Sequence, residues 1–206
     1  MTYAADVAAL ARKDLLLELR ARESLPAMAL FVLSALTVFH FALPAGSSDL
    51  AAKGLLWIAI VFTALVGLQR AFVVEREHGV IDGLVLAPID RSAIWLGKGL
   101  AVLGFLAAVE VIALPAYSVF FSGVDGTTVA GVALANVGIC AVGTFVAATA
   151  AASRTRELVL PLVIPVVVGG VGASVDGGGR YLGFLALYDA VFAIICWASF
   201  EYVVTE

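Results

Sequence analysis

Apolar residues fill this chain in six long stretches: Leu25 to Leu43, Gly54 to about Val74, Gly99 to Phe121, Thr127 to Ala152, Leu158 to Val175 and Tyr181 to about Phe200. A helix needs ~20 apolar residues to cross a hydrocarbon core of ~30 Å, so each stretch is expected to span a membrane. Polar or Gly/Pro-bearing breaks separate them: ALPAGSSDLAAK, a long stretch from Arg70, then SGVDG, SRTRE and DGGGR. The long break, RAFVVEREHGVIDGLVLAPIDRSAIWLGK from Arg70 to Lys98, carries Glu75, Arg76, Glu77, Asp82, Asp90 and Arg91. Unpaired charges in hydrocarbon cost several kcal/mol each, which places this segment in water or against another protein.

Ahead of the first apolar run, residues 2–22 read as an amphipathic helix at the membrane interface. Tyr3, Val7, Leu10 and Leu17 share one face at helical spacing, and Arg12, Lys13 and Arg20 lie elsewhere. Asp14 and Glu18 intrude on the apolar face. Pro26 marks the turn into the first crossing. The first run has full transmembrane length and follows about two dozen residues that include Asp6, Asp14, Glu18 and Glu23, which is unlike a cleaved signal.

Composition agrees with the pattern. The 206 residues are 63% hydrophobic and 14% charged, with a mean hydropathy of +1.08. That is an all-α integral membrane protein, expected to be one transmembrane domain over residues 1–206. The net charge of −4 comes without a basic face, so a nucleic-acid role is not expected. Orientation follows from the cations. With the N-terminus in the cytoplasm, Arg12, Lys13, Arg20, Arg22, Arg70, Arg76, Arg91, Lys98, Arg154 and Arg156 fall inside, and Lys53 and Arg180 outside. Both termini and the Arg70–Lys98 loop are therefore expected in the cytoplasm.

Candidate chemistry is sparse. The sequence has no GxxxxGK[ST] phosphate loop, GxSxG or HExxH, so ATP hydrolysis would have to reside in a separate chain. Cys140 and Cys196 stand singly in apolar runs without metal-ligand spacing. His78 belongs to the loop; His40, near the outer end of the first span, is a candidate ligand position whose plainer reading is structural. Glu110 and Asp189 lie inside spans, where ionisable groups are expensive to keep and are functional candidates for that reason. Their plainer reading is a bond to a neighbouring Tyr, Ser, Thr or the Asn136 amide, or a carboxyl that stays protonated. Gly131, Gly138 and Gly143 offer small faces for close helix packing, and Pro161 and Pro165 interrupt the fifth span.

The loop repays closer reading. Val80, Ile81, Leu84, Val85 and Leu86 oppose its charges, and a fresh helix start is expected at Asp90 or Ser92, with Lys98 anchoring the next span at the interface. Residues 75–92 are thus expected to form a cytoplasmic helix able to lodge in a partner's groove and pass on its movement.

The order Gly54-Leu-Leu-Trp57, Leu68-Gln-Arg70-Ala-Phe72, Glu75 to Gly79, Asp82-Gly83, Leu86 to Pro88 and Gly97-Lys98 resembles CcmB, the permease family of the cytochrome c maturation haem exporter. Gly143-Thr-Phe to Ala152 and Arg156-Glu-Leu-Val-Leu-Pro161-Leu-Val-Ile-Pro165 extend the likeness, as does Pro115, over about residues 10 to 170. The glutamate-glycine, leucine-proline and glycine-lysine portion is shared by many six-helix ABC exporter permeases. The resemblance implies an ABC permease of the bacterial inner membrane, non-catalytic and homodimeric. Its partners would be an ATPase subunit (CcmA-like), further membrane subunits (CcmC-like and CcmD-like) and, indirectly, a periplasmic haem chaperone (CcmE-like). It makes Glu75, Arg76, Glu77, Gly79, Asp82, Gly83, Leu84 and Pro88 the expected ATPase-coupling residues. Haem becomes the possible cargo, with His40 as a possible ligand on its outer side; the alternative mechanism is ATP-driven release of the haem-loaded chaperone. Two other readings stand beside it: a permease of another ABC exporter, for a lipid, drug or peptide, and a proton-coupled carrier using Glu110 and Asp189.

Overall fold

The computed structural model describes residues 2–21, 24–44, 48–71, 89–121, 123–152, 159–175 and 178–203. Among these residues there are seven helices and no strand: α1 (Tyr3–Ala21), α2 (Ser24–Ala42), α3 (Asp49–Ala71), α4 (Arg91–Phe120), α5 (Gly126–Ala152), α6 (Val159–Ala173) and α7 (Gly179–Val203). Five of them, α2, α3, α4, α5 and α7, are long and apolar enough to cross a membrane. The expected fifth span is the shorter α6, 15 residues and about 22 Å long, against a hydrocarbon core of ~30 Å.

Two helices begin earlier than the hydropathy pattern places them. The second span was expected from Gly54, but α3 starts at Asp49, because SSDLAAK is itself a helix start. The Ser48 hydroxyl accepts from the Ala51 N–H (3.3 Å), and Asp49 in the first turn pairs with Lys53 one turn on (2.8 Å). The third span was expected from Gly99, but α4 runs unbroken from Arg91 for 30 residues. Its N-cap is Asp90, whose carboxylate accepts from the Ser92 N–H (2.9 Å) and the Ser92 hydroxyl (2.7 Å). Thirty residues make a helix about 45 Å long, so part of α4 projects beyond the hydrocarbon.

The bundle is built around α5, which packs against α3, α4, α6 and α7. Lipid is as apolar as a leucine side chain, so helices associate where backbones approach closely and side chains interlock. Glycines supply the approach. Gly143 receives Leu68 of α3, Gly138 lies under Tyr188 and Asp189 of α7, and Gly131 lies under Ala173 and Trp57. Trp57 is 0% exposed, its ring seated on Gly170 of α6 where a Cβ would overlap it, and its indole N–H donates to the Ser174 hydroxyl (2.9 Å). Trp95 ties α4 to α5 in the same way, donating to the Ala141 carbonyl (3.0 Å). Pro165, inside α6, cannot donate to the turn before it; in that turn the Leu162 carbonyl accepts from the Tyr188 hydroxyl (2.6 Å).

Asp125 begins α5. Its carboxylate accepts from the Thr127 hydroxyl (2.5 Å), the Thr128 N–H (3.0 Å) and the Thr128 hydroxyl, and these bonds, the Thr127 one foremost, lower its pKa to about 2. A depressed carboxylate stabilises the fold above its unfolded value near 4, and that contribution disappears as pH falls from there to about 2. Thermal melts in detergent between pH 6 and pH 2 should lose this component of the pH dependence in Asp125→Asn, which retains a capping side chain. Asp125→Ala should cost about 1 kcal/mol at neutral pH. Gly170→Ala should lower the melting midpoint through overpacking of about 1–3 kcal/mol against Trp57. Gly54→Ala, with no neighbouring atom within 4 Å, should not.

Candidate functional site

Polar groups inside the bundle gather at one depth. Glu110 lies ten residues from the end of α4, Asn136 ten residues into α5 and Asp189 ten residues into α7. At 1.5 Å per residue each is about 15 Å from the same end of the bundle, the midplane of a ~30 Å core. The Asn136 amide donates to Glu110 Oε2 (2.6 Å), joining α4 to α5. Glu110 Oε1 and Asn136 Oδ1 are buried and have no hydrogen-bond partner among the described residues.

Asp189 sits on another flank of α5. It is 7% exposed, and neither carboxylate oxygen has a hydrogen-bond partner among the described residues. Its Oδ1 occupies the space above Gly138, where an added Cβ would approach to 2.5 Å. Residues 136 and 138 are separated by about 200° around a helix, so Glu110 and Asp189 line two separate contacts of α5 at a common level. Buried carboxylate oxygens at the midplane are costly, and the Asn136 bond offsets the cost for Glu110 alone.

The opposite kind of environment surrounds His40 at the end of α2. Its exposed ring lies 5.4 Å from Phe41 and Phe120 and 5.6 Å from Phe121, and Tyr117 stacks on Phe121 at 5.1 Å. Among the described residues no group of three or more His, Cys, Asp or Glu could hold a metal ion. Glu75, Arg76, Glu77, Gly79, Asp82, Gly83, Leu84 and Pro88 lie outside the described residues; the expected helix over 75–92 is represented by 89–92 alone.

At the other end of the bundle is a constellation that the sequence pattern did not single out. The face of α1 carrying Tyr3, Val7, Leu10, Asp14 and Glu18 lies along the first half of α4. Contacts ascend both helices together, Tyr3 with Ser92, Leu10 with Gly97, Asp14 with Lys98 and Leu15 with Gly104, so the two run parallel. Lys98, expected as an interfacial anchor, is 3% exposed and donates to Asp14 Oδ2 (3.2 Å), while Lys13 pairs with Asp14 Oδ1 (3.0 Å). An acid intruding on an apolar stripe and a lysine at the edge of an apolar run, 84 residues apart, were the readable signal of this pair.

These features define a multi-pass helical membrane protein with buried polar residues at a common level inside the bundle and charged residues at its ends. The chain belongs to the CcmB family: the family's sequence model, described as CcmB protein, matches residues 5–202. It is similar to Heme exporter protein B of Bradyrhizobium diazoefficiens, 28% identical over 210 residues, which span 94% of this chain and 90% of that protein. Heme exporter protein B of Rhodobacter capsulatus is 29% identical over 166 residues, 75% of this chain and 73% of that protein.

The Glu110–Asn136 bond should be measurable by a double-mutant cycle. Asn136→Leu and Glu110→Leu are expected to couple by about 0.5–2 kcal/mol in detergent melts, because each single change strands the partner's polar atoms. Additive effects would show that the bond contributes nothing to the fold.

Proposed function

We propose that this chain is the membrane subunit of an ABC exporter in cytochrome c maturation, coupling ATP hydrolysis on a separate CcmA-like subunit to movement of haem or release of a haem-loaded CcmE-like chaperone. The single observation that carries the reading is the family match over residues 5–202, with relatives named as haem exporters. The chain has no phosphate-binding loop of its own, which supports an ATPase in another chain. In this reading residues 1–206 are one permease domain in the bacterial inner membrane, with both termini and α1 at the cytoplasmic side. The ten-to-two bias of cations toward that side supports the orientation. Two copies would form the permease of a complex that includes CcmC-like and CcmD-like subunits.

The charged stretch after α3 is the proposed socket for the ATPase, with Glu75, Arg76, Glu77, Gly79, Asp82, Gly83, Leu84 and Pro88 as the coupling residues. Asp90 then caps α4, so a push on this segment is delivered to the end of a 30-residue helix that reaches the opposite face. There Phe120 and Phe121 meet His40, which makes this aromatic group the candidate contact for haem on the outer side. Haem here is cargo, and ATP belongs to the partner.

Replacing Glu75 or Gly79, or adding bulk at Leu84, is expected to abolish stimulation of the partner ATPase and cytochrome c assembly, with an unchanged melting profile of the permease. Normal stimulation and assembly in all three variants would overturn the coupling assignment. A second reading, a proton-coupled carrier, draws on the buried Asp189 carboxylate, which has no hydrogen-bond partner among the described residues. It requires that Asp189→Asn and Glu110→Gln abolish function in membranes containing no ATPase subunit.

A further inference from the structure

The contact between α1 and α4 is built more tightly than a surface helix needs. A Cβ on Gly97 would lie 2.7 Å from the Leu10 Cβ and 3.2 Å from the Val7 carbonyl oxygen, so the two backbones approach as closely as glycine allows. Val7 and Ala11 are buried in this seam, and Leu15 rests on Gly104. Beside the glycine notch, Lys98 is almost fully enclosed with Asp14 as its counterion. At the start of both helices the Tyr3 hydroxyl bonds the Ser92 hydroxyl (3.1 Å), and Ser92 is the residue held by the Asp90 cap. Ion pair, notch and cap therefore fix α1 at three levels along the root of α4. Only residues 22 and 23 separate α1 from α2, and α2 packs on both α3 and α4.

We propose that Asp14 is a positioning residue for energy coupling: paired with Lys98, it docks α1 on the root of α4, so that a push at the Asp90 end of α4 reaches the start of α2 through α1. This rests on the ATPase-coupled reading above. Among the described residues, Asp14, Lys98, Lys13 and Glu18 are charged groups at the contact. Asp14 serves Lys98 and Lys13 together, and Glu18, one turn further on the same face, has a buried Oε1 without a hydrogen-bond partner among the described residues. Asp14→Asn removes the carboxylate that Lys98 and Lys13 share, a change expected to shift the docked–undocked equilibrium by about tenfold or more, which frees α1. A double replacement by apolar residues, Asp14→Leu with Lys98→Met, removes both charges and keeps the helices docked through Gly97 and Gly104.

The test uses the permease with its ATPase subunit in nanodiscs, and the permease alone. A water-soluble amine-acylating reagent followed by peptide mass spectrometry reads exposure of Lys98, with the half-exposed Lys13 as the internal standard. In the native permease Lys98 should resist acylation while Lys13 reacts. In Asp14→Asn, Lys98 acylation should rise at least tenfold and stimulation of the ATPase should fall at least fivefold. Asp14→Glu, which retains the charge, and the Leu/Met pair should restore stimulation. Rapid acylation of native Lys98 would overturn the docking. Full stimulation in Asp14→Asn with Lys98 exposed would overturn the coupling role, and so would failure of Asp14→Glu and the Leu/Met pair together. If the native permease fails to stimulate any ATPase, the functional reading above is what fails, and the acylation arm still decides whether Asp14 docks α1.

Discussion

Helices in a bilayer receive little help from the hydrophobic effect, because leaving a neighbour for lipid exchanges one hydrocarbon surface for another. What holds this bundle is close approach at glycine, together with a few hydrogen bonds made where water cannot compete. Trp57 brings both together. Its ring takes the place of the side chain that Gly170 lacks, and its N–H finds Ser174, so α3 and α6 are held by one residue against the glycine face of α5. Close approach at glycine recurs at Gly138 beneath Asp189 and Tyr188, and at Gly143 beneath Leu68. Once α5 is gripped on several sides, the levels of all the polar groups are fixed.

That fixed register is why three polar residues from three helices share a depth. Glu110 has the Asn136 amide, whereas Asp189 has close steric enclosure and no hydrogen-bond partner among the described residues. The two carboxylates are thus alike in placement and unlike in environment. Neither is near His40, which stands about 15 Å away along the bundle among phenylalanine rings. Among the described residues the three groups occupy separate places, two flanks of α5 and one end of the bundle.

Much of the helical architecture was legible because transmembrane length is a coarse, strong signal. The cap at Asp90 and the packing glycines of α5 could be read from residue chemistry alone. The starts of α3 and α4 were harder. Hydropathy marks where a helix enters lipid, and both helices continue into polar sequence, held by Ser48, Asp49 and Asp90 caps that hydropathy ignores. The role of α1 was hidden for a related reason. Its stripe of Tyr3, Val7 and Leu10 has the spacing of a helix lying on lipid, and a periodic stripe does not say what covers it. Asp14, which spoils the stripe for lipid, suits it for α4, but its partner is too distant in sequence for a local pattern to connect them.

Synthesis order gives that distance a further meaning. Lys98 follows Asp14 by 84 residues, so at ~5–20 residues per second the ribosome makes α1 roughly 4 to 17 s before the lysine that will enclose its acid exists. During that interval α2 and α3 are synthesised while α1 waits outside its final seat. The seam between α1 and α4 therefore cannot close until the start of α4 has been made, long after α1 itself is complete. The chain between the two halves of this ion pair contains α2 and α3, so the buried Lys98 closes a loop of two helices as well as joining the first helix to the fourth.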